Sequence, residues 1–272
     1  MTSRAVGAVW RVEWTKLGAQ WKVRALLGAC AAGPVAFVAA IRAQRSLPED
    51  TLFGRGVAES GFATPLVVLG FAAIWILPVL TSAVGGDLFA ADDRYGTWPT
   101  LLTRSCTRSE IFVGKLATAL AFSSLAIAVL ALSSLAAGVI GIGTQPLIDL
   151  SGTMRIEESA LALVAGAWTS VLPAAWAFTA IAVFLSIATR SSAAGTGVPV
   201  VASLIMQLGT YIDGPELTRR LLLTSGFTAW RGLALEPRDL RPLVWSTVVS
   251  LAYFLVATGV AYRLLRRRER AG

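Results

Sequence analysis

The 272-residue chain contains no histidine, which excludes catalysis or metal ligation by imidazole groups. It has only two cysteines, too few for a cluster of metal ligands. Cys30 lies within an apolar stretch and Cys106 in a polar connection, so a disulfide bond between them is not expected. We therefore predict that the protein binds no metal ion and no cofactor.

Charged residues are missing from six stretches, each long enough to cross a bilayer. A membrane core of about 30 Å needs roughly 20 apolar residues in a helix, and helices satisfy their own backbone groups in lipid. A mean hydropathy of +0.67 excludes an ordinary soluble domain. We predict an all-α integral membrane protein, a single polytopic domain over residues 1–272. Its six transmembrane helices are expected at about 24–42, 62–84, 116–141, 161–188, 194–212 and 243–263.

The distribution of lysine and arginine predicts the orientation in the membrane. With six spans both termini lie on one side, and the segments on that side hold 15 of the 24 Lys and Arg residues. This excess predicts cytoplasmic termini in a bacterial inner membrane. Arginine outnumbers lysine 21 to 3, which is typical of GC-rich bacterial genomes. The net charge of +8 is thus attributed to anchoring beside anionic lipid, with no binding of nucleic acid.

One segment departs from this charge rule. Residues 213–242, on the opposite side, carry five arginines that anchoring does not explain. The segment also contains apolar residues, namely Leu221, Leu222, Leu223, Phe227 and Trp230. Such a mixture predicts short amphipathic or re-entrant helices at the outer interface before span six.

The N-terminal segment carries an apolar stripe with helical spacing. Val6, Trp10, Trp14, Leu17 and Trp21 recur every three or four residues. Because tryptophan favours the membrane–water interface, we predict a helix over residues 4–22 on the cytoplasmic face, with its three tryptophans at the interface. The alternative is a solvated helix of a small N-terminal domain, although the sequence offers no second helix for it to contact.

The sequence lacks the groups that most membrane enzymes and ion-coupled transporters need. No ionisable residue lies inside a predicted span, and no base accompanies the serines and threonines there. The nearest approach to a phosphate-binding loop is Gly114-Lys115-Leu116, which lacks the hydroxyl residue of that motif. We therefore predict that the chain is not an enzyme. A secondary transporter is disfavoured but stays open, because Na⁺ can bind backbone carbonyls at broken helices.

The most informative connection spans residues 85–115. Trp98, Leu101 and Leu102 have the spacing of one helix face, which predicts a short helix over residues 94–104. Thr107 and Glu110 have the spacing of a capping box, which predicts that a new helix begins at about Arg108. The spacing alone is equally compatible with an ordinary loop helix that lies on lipid.

This connection and the six-span topology resemble the permease subunits of ABC-2 type ABC transporters. In that family the corresponding loop reads as acidic residues, Gly-Thr, a Leu-Leu-rich helix, Arg-Pro-x-Ser-Arg and Gly-Lys. Ser105 stands where the family usually has proline, and Thr107 replaces the usual serine. The matching residues of this chain are Asp92-Asp93, Gly96-Thr97, Leu101-Leu102, Thr103 to Arg108, and Gly114-Lys115.

The resemblance implies a permease subunit that exports a hydrophobic or amphipathic substrate such as a lipid, glycan, peptide or drug. It implies two partner types, namely two cytoplasmic ABC ATPase subunits and a second permease, identical or homologous. The helix at 94–104 would be a coupling helix that docks into the ATPase. The rival functions are a stand-alone secondary transporter and a non-transporting membrane assembly or immunity protein. The residues implied in ATPase binding are Arg94, Tyr95, Gly96, Thr97, Trp98, Leu101, Leu102, Arg104 and Arg108.

Overall fold

The computed structural model describes residues 3–43, 56–96, 107–209 and 216–267, and these residues form a helical bundle. Two short 3-10 helices, Leu223–Phe227 and Ala229–Ala234, precede the last long helix. Strands β1 (Leu147–Ile148) and β2 (Met154–Arg155) pair antiparallel in a small hairpin. The α-helices are α1 Ser3–Ala19, α2 Trp21–Ala43, α3 Gly56–Glu59, α4 Ala63–Ile74, α5 Ile76–Gly85, α6 Ala90–Tyr95, α7 Arg108–Gly141, α8 Glu157–Ser170, α9 Leu172–Thr189, α10 Ser192–Gly209, α11 Glu216–Leu221 and α12 Arg241–Arg267.

Five helical segments in the described part of the chain are long and apolar enough to cross a membrane. They are α2, α7, α8 together with α9, α10 and α12. The bent pair α4 and α5 would make a sixth crossing if it forms one span. Each segment overlaps one predicted span, so the prediction of an all-helical, multi-pass membrane protein is confirmed in outline.

Helix α9 lies at the centre of the bundle. It contacts α5, α7, α10 and α12 along its length. Its buried side chains include Ala175, Ala177 and Ala182, none of which is exposed. Small residues allow helices to approach closely in a membrane, where packing rather than the hydrophobic effect drives association.

The bundle has two ends. At the first end, which we call the base, α1 lies beside the start of α7, and the ring of Phe112 in α7 lies 5.4 Å from that of Tyr262 near the end of α12. At the opposite end, which we call the cap, the hairpin at residues 147–155 contacts the 3-10 helices, where the Leu150 amide donates to the Ala234 carbonyl. Helix α1 and the C-terminal end of α12 therefore lie at the same end.

The bend of 61° between α4 and α5 has an identifiable cause. Pro78 has no amide hydrogen, so the carbonyl of Ile74, four residues earlier, loses its helical donor. The side-chain amide of Gln207 in α10 donates to this carbonyl at 3.0 Å and to that of Ala73 at 3.2 Å. A polar residue within an apolar helix thus satisfies the carbonyls that the break leaves free.

The predicted helix at 4–22 is two helices in the structure. Helix α1 ends at Ala19, and α2 begins at Trp21, so Trp21 belongs to the second helix. Leu17 is buried against the bundle, whereas Trp10 and Trp21 are 41% and 80% exposed and Trp14 is half-buried. The apolar stripe therefore divides between residues that contact the bundle and residues on the surface of the structure.

The cap consists of short elements, namely α11, the two 3-10 helices and the hairpin. Leu223, Phe227 and Trp230 of the 3-10 helices are buried. The hairpin was not predicted; it is held by Asp149, which accepts hydrogen bonds from the Ser151 and Thr153 amides and from the Arg155 side chain. These contacts order the cap although it contains little regular structure.

Candidate functional site: a buried ion cluster at the base

Lys115 is the most deeply buried basic residue in the described part of the chain, at 1% exposure. It lies two turns into α7, about 10 Å from the first residue of that helix. Its ammonium group lies 2.8 Å from the Asp92 carboxylate and 3.1 Å from the Glu13 carboxylate, and it donates to the Leu88 carbonyl at 2.9 Å. Three oxygen atoms thus replace the water that burial has removed.

Both carboxylates that contact Lys115 are also buried. Glu13 and Asp92 are 4% and 5% exposed. A second cation, Lys16, donates to Glu13 at 2.8 Å and lies 3.9 Å from Asp92, with its side chain 42% exposed. We call these four residues the basal ion cluster. Two positive and two negative charges balance within it, and this balance makes its burial tolerable.

The basal ion cluster joins three segments that are distant in sequence. Glu13 and Lys16 belong to α1, Asp92 to α6 and Lys115 to α7. The Phe89 ring, just before α6, lies 5.5 Å from the Lys115 ammonium group. Helix α1, the entry to the 97–106 segment and the third predicted span are therefore fixed to one another by charge pairs.

A second group of polar contacts lies beside the cluster. Asp87 forms an ion pair with Lys22 at the start of α2 and accepts a hydrogen bond of 2.5 Å from Ser192 at the start of α10. Arg94 in α6 donates to the same serine hydroxyl at 2.8 Å. Residues 87–94 thus contact α1, α2, α7 and α10 at once.

The pKa of Asp87 lies below its ordinary value. Partial burial acts to raise it, but hydrogen bonds from Lys22 and Ser192 and the positive charges of Lys22 and Arg94 outweigh that effect. Because the pKa is depressed by folding, the stabilisation is fully present above the ordinary aspartate range near pH 4. It is lost only as the pH falls through the lowered folded-state pKa, so this contact does not respond to pH changes near neutrality.

The structure describes four of the nine residues predicted to bind the ATPase. Helix α6 ends at Tyr95 and is followed by Gly96, whose φ of 62° is left-handed, so the predicted helix at 94–104 does not run through this point. Tyr95 is 73% exposed and Arg94 contacts Ser192. Arg108 is the first residue of α7, and the predicted capping box is confirmed, since Thr107 and Glu110 cap this helix reciprocally. Outside the described residues lie Thr97, Trp98, Leu101, Leu102 and Arg104.

In the sequence, Lys115 lies just before the third predicted span, and nothing at that position predicts the basal ion cluster. One signal was present: Glu13 and Lys16 stand three residues apart in a predicted helix, where such side chains are neighbours. The partners Asp92 and Lys115 are far away in the chain, so no local spacing reveals them. In the described ranges no three Cys, Asp or Glu side chains lie close enough to hold a metal ion.

Chemically, the cluster can hold three segments of the chain together. Each of its charged groups lies beside a group of opposite charge, and Lys115 also donates to a backbone carbonyl.

A comparison with curated proteins finds no match. A family model described as "Protein of unknown function (DUF2705)" matches residues 37–271, which is most of the chain and includes Asp92 and Lys115. The chain therefore belongs to the DUF2705 family.

Proposed function

We propose that the chain is the membrane-spanning permease subunit of an ABC-2-like ATP-driven exporter. One observation carries the proposal: both ends of the 97–106 segment are fixed to the membrane helices. On one side α6 is held by the basal ion cluster and by Ser192, and on the other Thr107 caps α7. Because the residues on both sides of this segment are held in this way, a partner protein that binds the segment could move the membrane helices.

The proposed mechanism uses these contacts to carry a displacement from the ATPase to the membrane helices. An ATPase docked on the 97–106 segment would displace α6, and the Asp92–Lys115 pair would pass the displacement to α7. Glu13 would pass it to α1, which lies at the same end of the bundle. Such buried pairs are stiff connectors, because separating them exposes charge to a poorly solvated environment.

The polar groups within the bundle support a pathway between two permease subunits rather than through one. Ser123 and Thr179 hydrogen-bond to each other at 2.8 Å and thereby join α7 to α9. Ser133 in α7 donates to the Cys30 carbonyl in α2. Because these hydroxyls are used in helix contacts, the proposed second permease, identical or homologous, would supply the other wall of the pathway.

A stand-alone secondary transporter is the second candidate, and Lys115 is the observation that favours it. A buried ionisable residue within a membrane helix is a common element of ion coupling. However, Lys115 lies close to the base, and its two carboxylates belong to α1 and α6, outside the segments able to cross the membrane. Transport that persists without ATP and follows an ion gradient would identify this second function.

The test of the permease proposal is the variant Leu101→Asp. We expect this change to reduce copurification of the ATPase and ATP-driven transport at least about tenfold, because a charge buried in an apolar docking groove is poorly solvated. Membrane insertion should be unchanged, since residue 101 lies outside the predicted spans. The measurements are membrane level, ATPase recovery after affinity purification, and transport in vesicles.

The matched control is Met154→Asp. Met154 is 67% exposed and lies in the hairpin at the cap, so it tests whether any new surface aspartate has the same effect. Leu147, in the other strand of this hairpin, is unsuitable as a surface control because its side chain is fully buried. Normal ATPase recovery and normal transport in Leu101→Asp would contradict the proposed coupling role.

A further inference from the structure

A cavity of about 650 Å³ lies at the cap, between α11, the 3-10 helices and the start of α12. Its lining is unusual for an outer segment because arginines outnumber carboxylates by four to two. The five arginines of residues 213–242 have no explanation as membrane anchors, and four of them line this one cavity. The charged lining residues are Arg219, Arg220, Arg231, Arg241, Glu216 and Asp239.

The positive charge of the cavity is only partly neutralised. Arg220 forms an ion pair with Glu216 one turn away in α11. Within the described ranges, the Arg231 and Arg241 side chains have no carboxylate at ion-pairing distance. Like charges gathered around one cavity repel each other, so an anion bound there would remove an unfavourable interaction.

The walls of the cavity are held in place by hydrogen bonds. The indole of Trp245 in α12 donates to the Arg220 carbonyl at 3.1 Å, which joins α12 to α11. The Asp239 amide donates to the Gly232 carbonyl at 3.0 Å, and both residues line the cavity. A site fixed in this way needs little ordering when a ligand binds.

Apolar groups complete the lining and continue outside it. Leu150, Leu235 and Trp245 contribute to the wall. Next to the cavity, α11 and α12 expose Leu217 and Val244, at 59% and 63%. Exposed apolar side chains in a chain with several membrane-length helices are suited to contact acyl chains, so the cavity places guanidinium groups beside a lipid-facing surface.

We propose that this cavity binds the phosphate group of an anionic phospholipid headgroup. Guanidinium groups bind phosphate oxygens through paired, charge-assisted hydrogen bonds. Basic pockets between membrane helices bind anionic headgroups on the cytoplasmic side of membranes, and the same pairing of guanidinium with phosphate is available to arginines at the opposite face. The acyl chains would lie on the exposed apolar faces of α11 and α12. The proposal is independent of ATP-driven transport, because the cavity lies at the end of the bundle opposite the basal ion cluster.

The test uses the detergent-purified full chain titrated with dioleoyl phosphatidylglycerol, with retained lipid counted by native mass spectrometry. We expect one tightly held lipid per chain, which the variant Arg231→Gln/Arg241→Gln binds at least about tenfold more weakly. Arg238→Gln is the matched control, since Arg238 is an exposed arginine of the same segment that does not line the cavity. It should retain the lipid as the wild type does.

Two further ligands test whether the cavity recognises an anionic phospholipid, any phospholipid, or a phosphate group without acyl chains. Dioleoyl phosphatidylcholine should be retained weakly, because its headgroup carries no net charge. Glycerol 1-phosphate, which has the phosphate but no acyl chains, should compete poorly. Equal binding by the double variant and the wild type would overturn the site, and equal loss in Arg238→Gln would show general charge attraction instead. Glycerol 1-phosphate binding as tight as that of the lipid would overturn the lipid as the ligand.

Discussion

Replacing Lys115 with methionine should destabilise the folded chain by about 3–5 kcal/mol, the largest effect expected of any single change at the base. Methionine preserves most of the length and volume of lysine but carries no charge. The Glu13 and Asp92 carboxylates would then share a buried site with only the partly exposed Lys16 ammonium group nearby. The measurement is the free energy of unfolding in detergent, followed by tryptophan fluorescence.

A double variant separates the loss of charge from the loss of packing. Lys115→Met with Asp92→Asn leaves the cluster with one positive and one negative charge in place of two of each. The charges then balance, so the double variant should recover a large part of the lost stability. The control Lys22→Met breaks the ion pair with Asp87 at a side chain that is 53% exposed, and it should cost at most about 1 kcal/mol. A Lys115→Met protein as stable as the wild type would contradict the interpretation of the cluster as a structural connector.

The helices that can cross the membrane were predictable because their signal is local. A charge within the bilayer core is so unfavourable that charged residues are confined to the ends of the spans. The helices nevertheless extend beyond the apolar stretches: α7 begins at Arg108, eight residues before the predicted start of its span. Helical hydrogen bonding does not stop at the membrane surface, and the capping box at Thr107 determines where α7 begins.

The sequence indicates where the helix bends between α4 and α5, but it does not indicate the angle of the bend. Pro78 marks a point where a helix is weakened, but proline in a membrane helix does not determine the angle. In the structure the freed carbonyls accept hydrogen bonds from Gln207, which lies in another helix and far away in sequence. The stabilising partner, and with it the 61° bend, depends on tertiary packing.

The basal ion cluster was not predictable for the same reason. Each of its members looks like an ordinary charged residue beside a span, and three separate segments must meet before Lys115 has partners. The cluster also bears on the family resemblance, since Asp92 and Lys115 are among the residues that carry it and the 97–106 segment lies between them. Its ion pairs connect α6, which precedes that segment, to α1 and α7; in the proposed permease these pairs would carry the displacement caused by a docked ATPase.

Gly195→Ala should also be strongly destabilising, because α10 touches residue 86 through its backbone at this position. A Cβ atom at residue 195 would lie 2.5 Å from the carbonyl oxygen of Gly86, and backbone atoms cannot move aside as a flexible side chain can. Forcing extra volume into such a contact typically costs about 1–3 kcal/mol. The displaced α10 would also draw Ser192 away from Asp87, which loosens the contacts that hold residues 87–94 at the base.

Gly197→Ala, two residues further along α10, is the matched control. A Cβ atom there would meet nothing within 4 Å, and alanine favours the helix over glycine by up to about 1 kcal/mol, so this variant should be as stable as the wild type or slightly more so. Thermal unfolding of both variants in detergent gives the comparison, and ATPase recovery tests whether the proposed docking of the 97–106 segment is also affected. If Gly195→Ala matched Gly197→Ala in both measurements, the close contact between α10 and residue 86 would not be what positions residues 87–94. If instead only Gly195→Ala loses both stability and ATPase recovery, the start of α10 helps to position residues 87–94, as the basal ion cluster does.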